Sequence, residues 1–151
     1  MPISALVGKK EIMQKMSEVF FSSTFGGEAL SLAAAIACID KYERNKGVET
    51  INKIGATLKK AVNDIFESHD IQNQIYIGGE SWWPGIMIKH DQPALCKKLI
   101  RQELFQNGII QGSGFNLSIA HDNPIVMEQT LEAWNGVAQS MQTYLESNTP
   151  E

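Results

Sequence analysis

The sequence predicts an α+β fold in which helices cover a small, mainly antiparallel sheet. Three observations predict it. From about residue 48 onward, segments with helical apolar spacing alternate with short β-type runs, in the order helix, strands, helix, strands, helix. Glycine, proline and asparagine punctuate the boundaries. Residues 1–45 differ in character: a strand, a loop and an apolar helix, like the closing elements of another domain. The expected division is therefore 1–45 and 46–151.

In chain order, "PISALVG" reads as a short strand and "KKEIMQKM" as a turn or two of helix. Glu28 to Arg44 reads as a helix with Ala29, Leu30, Ala33, Ala34, Ala35, Ile36, Ala37 and Ile39 spread over almost every face. A helix apolar all round is buried on several sides. It needs more surrounding protein than the rest of this chain supplies. "NKG" breaks the pattern, with Gly47 placed as a terminating residue. From Val48 to about Ser68, Ile51, Ile54, Leu58, Val62, Ile65 and Phe66 recur every three or four residues, which predicts an amphipathic surface helix. "QIYIGG" and "GIMIKH" read as strands joined through "GESWWPG". Pro93 opens a helix, Ala94 to Gln106, that Asn107 and Gly108 close. "IIQGSGFNLSIAH" reads as two strands around a "GSG" turn. Pro124 then starts a last helix with the stripe Met127, Leu131, Trp134, Ala138, Met141 and Leu145, and "SNTPE" frays from its end.

Bulk properties narrow the function. Hydrophobic residues are 43% and charged residues 20% of the 151, a globular balance that excludes disorder. The net charge of −4 comes with no basic stripe, so nucleic acid is not an expected partner. The longest apolar run, Ala29 to Ile39, is too short to span a bilayer, and "MPISALVGKKEIM" is not a signal peptide. Cys38 and Cys96 stand at apolar helical positions and read as two reduced core thiols, which makes cytoplasm the expected compartment.

The segment with the most chemical content is "SSTFGGEAL", residues 22–30. Hydroxyls and glycines directly before a helix admit two readings. Backbone N–H groups at a helix start have no intrahelical partners and carry the positive end of the dipole, so they can cradle a phosphate. Serine and threonine are also ordinary N-cap residues, and local sequence favours that simpler reading. His69, His90 and His121 lie outside any metal-ligand spacing, and His121 is expected to bond local backbone. Trp82 and Trp83 are expected to pack on a neighbouring element rather than line a pocket. Lys9 and Lys10 read as solvated. No catalytic residue and no metal site is assigned.

Three stretches together resemble the class III aminotransferases, fold-type I enzymes dependent on pyridoxal 5'-phosphate (PLP), in the glutamate-1-semialdehyde 2,1-aminomutase-like branch. "MPISALVGKKEIM" is similar to the segment after the family's imine-forming lysine, "SSTFGGEALSLAAAIACI" to the loop and helix that close the large domain, and "SIAHDNPIVMEQTLEAW" to the final turn and helix. The resemblance runs through essentially the whole chain. It implies an α+β (α/β) fold: 1–45 the end of the large cofactor-binding domain, 46–151 the small C-terminal domain. It implies that Thr24, with Ser23 beside it, contacts the phosphate of PLP held by the other subunit of a homodimer, a role compatible with capping. It implies a small-molecule amino donor and acceptor. The family's imine-forming lysine, the aspartate on the pyridine nitrogen and the phosphate turn precede the position matching Met1, so this chain alone is expected to be inert. The arginine that many ω-aminotransferases use for a substrate carboxylate has no counterpart in "GSGFNLSIAH". The alternative is a free-standing binding module of the same fold that offers the 28–44 helix to a partner.

Overall fold

The computed structural model of the chain describes residues 3–112 and 114–147. The first residue of the expected "PISALVG" strand, the serine of "GSG" and the tail beyond Ser147 lie outside these. The chain forms two compact units, Met1–Asn45 and Lys46–Glu151.

The first unit holds α1 (Lys10–Met13), which runs into a 3₁₀ turn (Gln14–Glu18), and α2 (Ala29–Arg44). Residues 3–8 form no strand, contrary to expectation. Ile3, Leu6 and Val7 are apolar enough for one, but among the described residues no other strand in this unit offers them a ladder, and an unpaired strand does not persist. The helix α2 forms where its composition predicts, yet it is not buried in this chain. Only Ser31 is buried along it, and Leu30 and Ile36 are 63% and 62% exposed. Cys38 is likewise exposed rather than a core thiol.

The second unit holds α3 (Gly47–Ser68), β1 (Ile75–Glu80), β2 (Trp83–Ile88), α4 (Pro93–Gln106) and α5 (Pro124–Ser147). Gly47 opens α3 instead of ending α2; the left-handed residue at the break is Lys46, with φ of 50°. Asp70 closes α3 in the same conformation, with the Ile71 N–H bonded to the Phe66 carbonyl five residues back at 3.1 Å. Gly108 does the same for α4, where the Ile109 N–H reaches the Leu104 carbonyl at 2.8 Å.

The strands β1 and β2 pair antiparallel around a two-residue turn, Ser81–Trp82. The register sets Ile75 against Ile88 and Ile77 against Ile86, so four β-branched side chains share the face turned to the core. That face meets α3, whose buried stripe is Ile54, Leu58, Val62 and Phe66. α5 packs on α3 and on α4, adding Trp134, Val137, Ala138 and Met141 to a core that also takes Cys96, Ile100 and Leu104. Burial pushes the Cys96 thiol above its ordinary pKa, which keeps it protonated and inert.

Among the described residues the sheet stops at two strands, whereas the sequence predicts more. Residues 109–112 and 114–118 form no strand, although Phe115 touches β2. Pro84 explains part of this. It lies in β2 and has no N–H for a third strand, so among the described residues the one rung there is the Phe115 N–H to the Pro84 carbonyl, at 3.4 Å. Side chains hold the segment instead, with Phe115 and Leu117 packed on the core.

Asn63 substitutes for a strand on the other side. Its Oδ1 accepts the Ile77 N–H at 2.7 Å and its Nδ2 donates to the Ile77 carbonyl at 3.0 Å, tying α3 to β1. Asn63→Ala strands both backbone groups in a partly buried setting. We expect a loss of about 2 kcal/mol in urea unfolding, with Asn63→Asp intermediate because only the acceptor survives.

Candidate functional site

The predicted site residues lie in the loop between the 3₁₀ turn and α2. Tight turns shape it: the Gly26 N–H bonds the Ser23 carbonyl and the Glu28 N–H bonds the Phe25 carbonyl, each at 3.2 Å. Ser22, Ser23 and Thr24 are all exposed. The Thr24 hydroxyl makes no hydrogen bond among the described residues, which leaves it available to an external acceptor. A Cβ on Gly27 would meet nothing within 4 Å, so the backbone there can be closely approached; one on Gly26 would press on the Ser23 Oγ at 3.0 Å.

The helix end itself is differently arranged from the sequence expectation. None of the three hydroxyls caps α2, because the glycines place them too far ahead of its first turn. Glu28 is the N-cap, and its carboxylate accepts the Leu30 N–H at 2.9 Å and the Ser31 N–H at 2.7 Å. The Ser31 hydroxyl, and then these two N–H groups, hold the Glu28 carboxyl below its ordinary pKa. A carboxylate therefore already sits on the positive end of the α2 dipole, and a second anion would be repelled from it. The loop fits a phosphate through the Thr24 hydroxyl and the uncrowded backbone near Gly27, not through the helix start. An acid immediately before an apolar helix was the available signal for this cap.

The remaining candidates are scattered. His121 accepts the Ser118 N–H on Nδ1 at 3.0 Å, within a small capping box, as expected of a locally bonded side chain. The Ser118 carbonyl, 3.2 Å from the same nitrogen, then receives no proton from it, because an N–H can only donate. His69 sits between the side-chain oxygens of Gln142 and Asn135, and His90 accepts the Gln92 N–H. Trp82 and Trp83 are both more than half exposed; the Trp83 ring lies beside Gly114 of the neighbouring segment, as predicted, and Trp82 is not packed away. Lys9 and Lys10 are exposed. Among the described residues no group of three or more His, Cys, Asp or Glu is gathered closely enough to hold a metal ion, and no helix is long and apolar enough to cross a membrane.

Comparison with known proteins decides the family. The model of the family "aminotransferase class-III" matches residues 1–133. This chain belongs to the class III aminotransferases. Among relatives of this class III chain, a 2'-deamino-2'-hydroxyneamine transaminase of Streptomyces kanamyceticus is 29% identical over 76% of the chain and 29% of its own length. A 3-aminobutyryl-CoA aminotransferase of Cloacimonas acidaminovorans is 35% identical over 64% of the chain and 23% of its own length. A glutamate-1-semialdehyde 2,1-aminomutase of Methanothrix thermoacetophila is 36% identical over 44% of the chain and 16% of its own length. The class III chain thus spans less than a third of each of these relatives. No solved structure matches it.

Proposed function

We propose that the chain is the C-terminal part of a PLP-dependent aminotransferase or 2,1-aminomutase. The observation that carries this is a family match running unbroken through residues 1–133 while the chain covers at most 29% of the relatives compared. In this reading residues 1–45 finish the large cofactor-binding domain and residues 46–151 are the small C-terminal domain. The exposed apolar residues of α2 support it, since a helix that leaves Leu30 exposed on one side and Leu32, Ile36 and Ile39 on the other is one that further protein covers. The parent enzyme is a cytoplasmic homodimer acting on small-molecule amino donors and acceptors.

Bound PLP supplies an electron sink for the pair released at the substrate carbon. This chain's own part is binding and enclosure. Thr24 would donate a hydrogen bond from its hydroxyl to the phosphate of the PLP held by the other subunit, with Ser23 beside it. Glu28 keeps the start of α2 closed to the anion, so the phosphate is directed to the loop. Residues 46–151 cover the site and exclude water.

Two measurements test this. Reading the coding sequence upstream of Met1 should reveal an in-frame extension of a few hundred residues with a lysine just before the "MPIS" segment; a stop codon immediately upstream sinks the proposal. In that full-length enzyme Thr24→Val should weaken PLP retention about tenfold or more, and Thr24→Ser should restore most of it, as a hydrogen bond to a charged group requires. Equal retention by all three proteins would remove Thr24 from the site.

A further inference from the structure

The two outer edges of the β1–β2 sheet are differently made. The Lys89 N–H bonds the Gln74 carbonyl at 2.7 Å, which fixes the alternation of the antiparallel ladder. Gly85, Met87 and Lys89 direct their backbone groups at β1, while Pro84, Ile86, Ile88 and His90 direct theirs away from it. On β1 the outward residues are Ile75, Ile77 and Gly79, and the unit engages each of them. The Ile75 N–H bonds the Ile71 carbonyl at 2.9 Å, Asn63 takes both groups of Ile77, and Lys59 Nζ donates to the Gly79 carbonyl at 2.8 Å. That edge is closed.

The β2 edge is open. Phe115 reaches the Pro84 carbonyl at one end of it. Past that point, the outward N–H and carbonyl groups of Ile86, Ile88 and His90 make no hydrogen bond among the described residues. The elements that pack on β2 are β1 and α3, both on its other side. A bare edge is a template for a further strand unless proline or charge guards it. Pro84 and Lys89 flank this one, and the Ile86–Ile88 stretch between them carries neither.

We propose that this edge pairs with the same edge of a second copy of the chain, antiparallel about a twofold axis at Ile88. Ile88 then bonds its own counterpart, and Ile86 bonds His90 of the second copy on either side, so every outward group of the three residues gains a partner. An axis at Ile86 would set Ile88 against Pro84, which has no N–H to give. Because the β1 edge is closed, each chain offers one edge, and assembly stops at a dimer instead of growing into a fibre. The register sets Met87, 39% exposed, opposite the exposed Lys89 of the second copy. So short an edge falls far below the roughly 1,600 Å² of a stable interface, and the dimer is a weak one, dissociating at about 100 µM. The proposal does not rest on the PLP reading, and its test uses the chain as it stands.

Sedimentation velocity between about 20 and 500 µM should show a reversible monomer–dimer equilibrium. Amide exchange followed by NMR over the same range should slow about threefold at Ile86, Ile88 and His90, and stay constant at Met87, whose N–H already faces β1. Met87→Glu places a carboxylate opposite each Lys89 and should tighten the dimer about threefold or more; Met87→Lys sets like charges opposite and should loosen it by as much. Thermal melts by circular dichroism check that both variants fold. A monomer throughout the range overturns the proposal. So does association that leaves the Ile86 and Ile88 amides unslowed, as contact through the exposed apolar residues of α2 would. So do Met87→Glu and Met87→Lys constants that move together or not at all.

Discussion

Gly55→Ala is expected to destabilise residues 46–151 by about 3 kcal/mol or more, although alanine is ordinarily the better helix former. Gly55 lies on the face of α3 that meets the β1–β2 turn. A Cβ there would sit 1.6 Å from the Ser81 carbonyl oxygen and 2.7 Å from its carbon. Both are backbone atoms, so no side-chain rotation relieves the overlap. Helix and hairpin must move apart, and the isoleucines of β1 lose their seat on α3. In a unit of this size each kcal/mol lowers the melting temperature by about 4–8 °C, so a fall of 12 °C or more should be seen. Gly85→Ala is the control: its added Cβ meets only the flexible end of Met87 at 3.9 Å, and stability should change by less than about 0.5 kcal/mol. A Gly55→Ala protein melting with the parent would show that α3 and the turn are not in this contact.

Trp134→Ala should cost about 3–5 kcal/mol, the range for deleting a large buried aromatic. Trp134 is 1% exposed and touches the core from two sides. Phe66 meets it edge-on, with centroids 5.8 Å apart at 78°, and Phe115 stacks on it at the same distance. The Phe115 contact is the more consequential, because residues 114–118 lack a full strand ladder and rely on side chains to stay in place. Guanidinium unfolding should show a lower midpoint with the slope retained, and Trp134→Phe should recover more than half the loss. A loss under 1 kcal/mol for Trp134→Ala would mean the 109–118 segment is held by something other than this aromatic cluster.

Much of the second unit is legible in the sequence because each element there carries its own local signals. The spacing of Ile54, Leu58, Val62 and Phe66 fixes both the type of α3 and its inward face. Pro93 and Pro124 mark helix starts, and Gly108 a helix end, through backbone geometry that any context preserves. The segment 109–118 is misread because its apolar residues fit a strand period, while the obstacle, the missing N–H of Pro84, lies far away in sequence. Residues 3–8 fail for the same reason: strand formation needs a partner that local sequence does not reveal.

The position of the candidate loop was legible; its capping was not. "SSTFGG" reads as hydroxyls and glycines directly before a helix, and a loop stands there. The competition among Ser22, Ser23, Thr24 and Glu28 for the helix start was not legible, because two glycines change the reach of every side chain before them. Where the helix begins decides the cap, and here the carboxylate of Glu28 wins by being adjacent to it.

The central claim is that this chain carries the closing portion of a PLP enzyme and lacks the lysine that such chemistry uses. It is tested most directly by incubating the purified 151-residue protein with PLP, reducing with borohydride, and locating any adduct by intact mass and peptide mapping. The account predicts no stoichiometric adduct at a unique lysine and no amino-donor-dependent turnover. One PLP per chain on a single lysine, together with transaminase turnover, would contradict it.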